Sequence, residues 1–237
     1  MRPDWSTISR IRDNFRSFFE QNLECELCLE PSTSPTGICR ACTNDLPFSG
    51  LCCPQCSEPV VNEGRCGNCQ QHPPTYDYSH CSLYYQPPLT HWITRCKDHR
   101  DARQISRLVD LLLTSPPLLP VAPDIIVSIP SHPLRLAQRG FNLSAELAQA
   151  AGQHLNCDVH HRALIKHRRS EHRGQNAQQR KAIHSLHADL SIPEGCHALL
   201  IDDVMTTGST LDEAAAILKS QGAAIVGAWC LARTLKT

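Results

Sequence analysis

Asp202 and Asp203 close an apolar run, Ala198 to Ile201, and Thr206, Thr207, Gly208, Ser209 and Thr210 follow within a few residues. Ionised carboxylates are pure acceptors, so the two acids cannot hold a phosphate but can accept hydrogen bonds from the vicinal hydroxyls of a ribose. The hydroxyl-rich stretch does the complementary work. Backbone N–H groups from Thr207 to Thr210, at the start of an Ala/Leu-rich helix, have no partner inside that helix. Together with the Thr and Ser hydroxyls they can surround one phosphate monoester. Gly208 lets the backbone come close to it. The pattern asks for a ribose 5-phosphate.

Cysteine supplies a second chemistry. Nine of the fourteen cysteines fall between Cys25 and Cys69, in the order Cys25-x2-Cys28-x10-Cys39-x2-Cys42 and then Cys53-x2-Cys56-x9-Cys66-x2-Cys69. Each CxxC pair can present two thiolates to one tetrahedral ion, and two pairs about ten residues apart complete a four-cysteine zinc ribbon. Two structural zinc ions are expected. Sequential pairing is preferred, with the interleaved arrangement left open by spacing alone. Cys52 could stand in for its neighbour, but Cys53 keeps the two-residue spacing to Cys56. Cys81, Cys96, Cys157, Cys196 and Cys230 lie outside the pairs and read as small core residues.

Cations form a third group. Arg135 and Arg139 lie in a polar stretch, Ser131 to Asn142, that follows a buried strand, where a second anion such as pyrophosphate could be held. Arg168, Arg169 and Arg173 belong to a basic segment, Ile165 to Lys181, whose only acid is Glu171. That run cannot build a core. It reads either as a solvated linker or as a cationic lid over pyrophosphate or nucleic-acid phosphates. Arg95, Lys97, Arg100, Arg103 and Arg107 read as a solvated helix face, and the eight histidines from His154 to His197 as surface residues. No nucleophile-activating base and no base-recognition pocket stand out, so no catalytic residue is assigned.

These side chains need elements to position them. Residues 1–24 place Trp5, Ile8, Ile11, Phe15, Phe18 and Phe19 at helical spacing, an amphipathic helix expected to pack on the rest of the chain rather than on a membrane surface. The zinc-ribbon module spans 25–72, a Pro-containing linker follows, and a larger domain runs from 79 to 237. In that domain strands are expected at His80–Gln86, Asp124–Pro130, Cys157–Leu164, Ala198–Ile201 and Ala223–Ala232. Helical material is expected at Leu89–Leu113, Leu143–His154 and Thr210–Gln221. Strands alternating with helices imply an α/β fold built on a mostly parallel sheet, with the ligand site at the carboxyl ends of its strands.

At 237 residues the chain can bury a substantial core. Its formal net charge is zero, so bulk electrostatics announce no nucleic-acid partner. No apolar stretch is long enough to span a bilayer and no secretory leader is visible, so a cytoplasmic protein without membrane insertion is expected. That setting favours metal over disulfides for the clustered cysteines.

The Asp-Asp-x-x-Thr-Thr-Gly-x-Thr stretch at Asp202 to Thr210 resembles the phosphoribosyl diphosphate (PRPP) signature of type I phosphoribosyltransferases. Taken with the four CxxC pairs, Arg139-Gly-Phe-Asn142 and the terminal Trp229 to Leu235, it resembles the ComF family of competence and DNA-utilisation proteins. The chain departs from the family pattern at Leu143, where glutamine is usual, and at Arg169, His172 and Ile183 in the basic segment. The resemblance implies a type I phosphoribosyltransferase-like sheet with helices on both faces behind a double zinc ribbon. It also implies PRPP bound with Mg²⁺ by Asp202, Asp203 and Thr206 to Thr210, and a role in DNA uptake or in use of DNA as nutrient. Single-stranded DNA is the further expected partner, and a DNA-uptake or helicase protein is left open. The alternative is an active transferase that moves ribose 5-phosphate from PRPP to a nucleobase or amine.

Overall fold

The computed structural model describes residues 23–34, 36–99, 101–119, 121–166 and 186–235. The chain forms two compact units, Met1–Leu46 and Pro47–Thr237. The helix expected over 1–24 falls outside the described residues, apart from Leu23 and Glu24. So does most of the basic segment, including Arg168, Arg169 and Arg173.

The described part of the first unit is a small hairpin and one short helix. Strands β1 (Leu23–Glu24) and β2 (Pro31–Ser32) pair antiparallel, and helix α1 (Arg40–Asn44) starts directly after Cys39.

The second unit opens with a similar turn and helix α2 (Gly67–Gln71), then builds a sheet. Its strands β3 (Tyr78–Tyr84), β4 (Ile125–Ser128), β7 (His197–Met205) and β8 (Ile225–Arg233) lie in the order β3-β8-β7-β4, all parallel. A two-stranded antiparallel pair, β5 (Leu164–Lys166) and β6 (Leu186–Ala188), stands apart. The helices are α3 (Leu89–His99), α4 (Ala102–Thr114), α5 (Pro133–Arg139), α6 (Leu143–Leu155) and α7 (Ser209–Ser220).

Parallel strands buried on both faces need continuous apolar sequence, which β4, β7 and β8 supply. Alternate residues divide between the faces. Ile125, Val127, Ala198, Leu200, Val226 and Ala228 join Leu211, Ala214, Ala215 and Leu218 of α7 in one core, while α6 packs on β4 and β7 and α4 packs on α6. Fully burying one Leu or Ile contributes roughly 1.5–3 kcal/mol, so this layering carries most of the unit's stability. The edge strand β3 is covered by the chain around Phe48, which bridges Leu83, and by Pro47 and Ser49, which exchange backbone hydrogen bonds with it.

Several expectations are corrected. The helical stretch from Leu89 is two helices, because Asp101 accepts a hydrogen bond from the Arg103 amide and starts α4 afresh. Residues 157–164 contribute only an isolated bridge from Val159 to Ile126, and the strand starts at Leu164. His197 is buried: Tyr78 Oη lies 2.7 Å from its Nε2 and the Ala122 carbonyl 3.2 Å from its Nδ1. Arg107 is buried too, bonded to Gln104 and lying 4.9 Å from the Trp92 ring centre. No helix among the described residues is long and apolar enough to cross a membrane.

Candidate functional site

Strand β7 does not stop before the acids. Asp202 pairs with Cys230 and Val204 with Ala232, so the carboxylates ride on the last turns of a strand held on β8. The Asp202 Oδ1 atom accepts from Ser144 Oγ at 2.7 Å and from the Asp203 amide at 2.9 Å, while Asp203 Oδ2 lies 2.7 Å from Lys97 Nζ. Removal from water and then the charge of Asp203 push the Asp202 carboxyl up to about 7, against the pull of Ser144 and Lys97. One acid is thus paired with a lysine, and the other is raised by burial and by its neighbour.

Beyond Met205 the chain turns into α7. Gly208 takes φ 81°, the left-handed region, and provides no side-chain cap to the first turn of a twelve-residue helix. Thr207 Oγ1 lies 3.0 Å from Ser209 Oγ and accepts from the Ser209 amide at 3.3 Å, which shapes the turn. A hollow of about 20 Å³ sits within it, lined by Thr206, Gly208, Ser209 and Thr210 as well as Asp202.

A larger cleft, about 330 Å³, opens at the carboxyl ends of β4 and β7. Asp202, Asp203 and Thr210 form one side, and Lys97, His132, Arg135, Arg139 and Lys166 bring positive or protonatable groups to it. The loop after β4 is held in place by Asn142, which accepts from Ser131 Oγ at 2.7 Å and donates to the Ile129 carbonyl at 3.0 Å. Arg139 also lies 3.6 Å from Asp98. Arg135 and Arg139 therefore stand at the same cleft as the two acids. Lys97 and Ser144 were not singled out from sequence: Lys97 lay within a run of helix cations, and Ser144 carries no motif. The arrangement places acceptors that suit a diol, amide donors that suit a monoester and cations that suit a second anion around two hollows that share Asp202 and Thr210.

The cysteines form two groups, Cys25, Cys28, Cys39 and Cys42 in the first unit and Cys53, Cys56, Cys66 and Cys69 in the second. Within each group the ligand atoms lie within 4.8 Å of one another. Pairing is sequential. Cys28 and Cys39 sulfurs are 3.7 Å apart and Cys56 and Cys66 sulfurs 3.6 Å. A tetrahedral ion with Zn–S bonds of about 2.3 Å requires roughly 3.8 Å between sulfurs, so both groups could hold zinc.

The two sites share one local build. The Cys39 amide donates to Cys25 Sγ and the Cys66 amide to Cys53 Sγ, each at 3.3 Å, and Leu29 and Ser57, each one residue past the second cysteine of its knuckle, both take positive φ. Although burial works against it, such amides hold the Cys25 thiol down to about 6 and the Cys53 thiol to about 7, which favours the thiolates a metal needs. Cys52 stays outside the group, with its sulfur 3.4 Å from Tyr84 Oη.

The model of the phosphoribosyl transferase domain family matches residues 122–237. A protein named DNA utilization protein YhgH from Salmonella typhi is 34% identical over 222 residues, covering 89% of this chain and 97% of its own. Its namesake from Escherichia coli K12 is 34% identical over 223 residues, with the same coverage. Competence protein F of Haemophilus influenzae is 28% identical over 211 residues, covering 83% of this chain and 90% of its own. The chain belongs to the ComF family of DNA-utilisation and competence proteins, with a phosphoribosyltransferase-type domain behind its four-cysteine sites.

Proposed function

We propose that the protein binds PRPP in the cleft at the end of β4 and β7 and serves the uptake of DNA or its use as nutrient. One observation carries this reading: an acid pair, the turn at the N-terminus of α7 and a set of cations line two hollows that share Asp202 and Thr210. Asp202 and Asp203 would accept the ribose hydroxyls, Thr206 to Thr210 would hold the 5-phosphate, and Arg135 and Arg139 would face the diphosphate. Mg²⁺ would enter with the diphosphate oxygens and neutralise part of their charge. The relatives named for DNA utilization and competence support a role in handling DNA. Single-stranded DNA contact through Arg168, Arg169 and Arg173 is the corresponding expectation for the basic segment.

Calorimetric titration of PRPP with Mg²⁺ into the wild type and into Thr207→Val tests the site. Binding in the wild type, weakened roughly tenfold by removing one hydroxyl donor of conserved shape, is expected. Wild-type protein that binds no PRPP would sink the reading. Steady pyrophosphate release with a panel of nucleobases would mark the protein as an active transferase rather than a binding module.

A further inference from the structure

Arg233 is the last residue of β8, and its side chain is 2% exposed. Its guanidinium joins two places far apart in sequence. Nη1 donates to the carbonyls of Met205 at 3.0 Å, of Thr206, and of Thr234 at 2.8 Å. Nε donates to the Cys56 carbonyl at 2.9 Å, and Nη2 bonds Glu58 Oε1 at 2.5 Å. Met205 and Thr206 open the phosphate turn. Cys56 and Glu58 belong to the first knuckle of the second four-cysteine group, whose Cys53 amide donates to the Glu58 carbonyl at 2.8 Å.

The consequence follows from peptide planarity. The Met205 carbonyl shares one rigid plane with the Thr206 N–H, and the Thr206 carbonyl shares one with the Thr207 N–H. Fixing the two oxygens from behind therefore fixes the direction of two N–H groups in front. A second tie runs from the other end of the same cysteine group. The chain leaving Cys69 donates from the Thr75 amide to Asp212 in the first turn of α7, and Tyr76 lies so close that a Cβ on Gly208 would come within 3.0 Å of its hydroxyl.

We propose that Arg233 is a positioning residue for the phosphate turn, and that the metal expected at Cys53, Cys56, Cys66 and Cys69 sets phosphate affinity through it. This rests on the PRPP reading above for the identity of the ligand. Metal holds the four thiolates together, and without it the knuckle can relax. Arg233 then loses the Cys56 and Glu58 anchors, and a buried guanidinium deprived of its carboxylate must rearrange, taking the Met205 and Thr206 carbonyls with it. Linkage is reciprocal: if metal at this site strengthens PRPP binding, PRPP must hold that metal more tightly by the same factor.

The test uses the full zinc-loaded chain. Chelator is added with and without PRPP, and the rate at which each cysteine becomes alkylatable is read by peptide mass spectrometry, with hydrogen exchange of amides 212–214, the first of α7 bonded back to the turn, followed in the same samples. PRPP should slow release at Cys53 and Cys66 by about tenfold, within the usual range of coupling between sites. Exchange at 212–214 should rise as those cysteines open, while α6 stays protected. Glu58→Gln, which keeps a neutral acceptor and the packing, should remove much of the PRPP effect and still fold. Unchanged exchange at 212–214 on loss of this metal, or a rise spread evenly over the unit, overturns the proposal. If exchange at 212–214 responds but loaded protein binds no PRPP, the coupling stands and the ligand assignment falls.

Discussion

Replacing Asp202 by Asn should make the protein more stable and its PRPP binding worse. In the wild type the Asp202 carboxyl is raised from 3.8 to about 7, first by burial and then by Asp203. An acid whose folded value is raised stores a penalty that is absent below the unfolded value and fully present above the folded one. The full rise corresponds to about 4 kcal/mol at 1.36 kcal/mol per pH decade. Part of it is shared with Asp203 and offset by burying an amide in its place, so a gain of roughly 2 kcal/mol at pH 8 is expected for the variant. Asparagine Oδ1 can still accept from Ser144 and from the Asp203 amide, so both present hydrogen bonds survive. Chemical denaturation from pH 4 to pH 8 should show no difference at pH 4, a gap that opens as pH rises, and a plateau above about 7. PRPP affinity at pH 8 should fall about 10- to 100-fold, the value of one charge-assisted hydrogen bond. The PRPP phosphate itself titrates near pH 6, but the variant shares that titration and isolates the contribution of Asp202. A variant less stable than wild type at pH 8, or a difference that ignores pH, would refute the reasoning.

Gly208→Ala must place an L side chain at φ 81°, with its Cβ 3.0 Å from Tyr76 Oη; a loss of about 1–2 kcal/mol in chemical denaturation is expected, together with weaker PRPP binding. Protein purified without chelators should carry close to two zinc ions per chain by elemental analysis, one for each four-cysteine group. Replacing Arg168, Arg169 and Arg173 by Ala should weaken single-stranded DNA binding and flatten its salt dependence; wild-type binding that does not change with salt would remove phosphate contact from the account.

The parts of the site written in contiguous sequence were legible, and those assembled by pairing were not. The acids, the hydroxyl turn and the knuckle spacing announce themselves because each function needs neighbours in the chain. The extent of β7 does not: Asp202 to Met205 break the apolar pattern, and only the parallel register with Cys230 to Arg233 keeps them in the sheet. Lys97 read as solvated because its helix carries several cations, and no local pattern says which one reaches an acid on another strand. Arg107 and His197 are polar by type but buried by partners, Gln104 and Trp92 for one, Tyr78 for the other. Arg233 has the least local signal of all, since its meaning depends on standing opposite Met205 in the sheet and beside a turn some 175 residues earlier.

Zero net charge and a strongly polar cleft are compatible because the relevant field is local. At physiological ionic strength exposed charges are screened over about 8 Å, so Lys97, Arg135, Arg139 and Lys166 act on what enters the cleft and little on what lies beyond it. Acids and cations then divide the work by position. The acids at the end of β7 stand against the turn, where a neutral diol next to a phosphate can use acceptors. The arginines line the same cleft from α5, where a second anion can be held. Lys97 sits on the boundary, paired with Asp203 at 2.7 Å, while Asp202 beside it is pushed up by burial and by the charge of Asp203. Two unpaired acids would repel any anion that enters the cleft beside the arginines; the lysine pairing of one acid and the raised value of the other reduce that conflict.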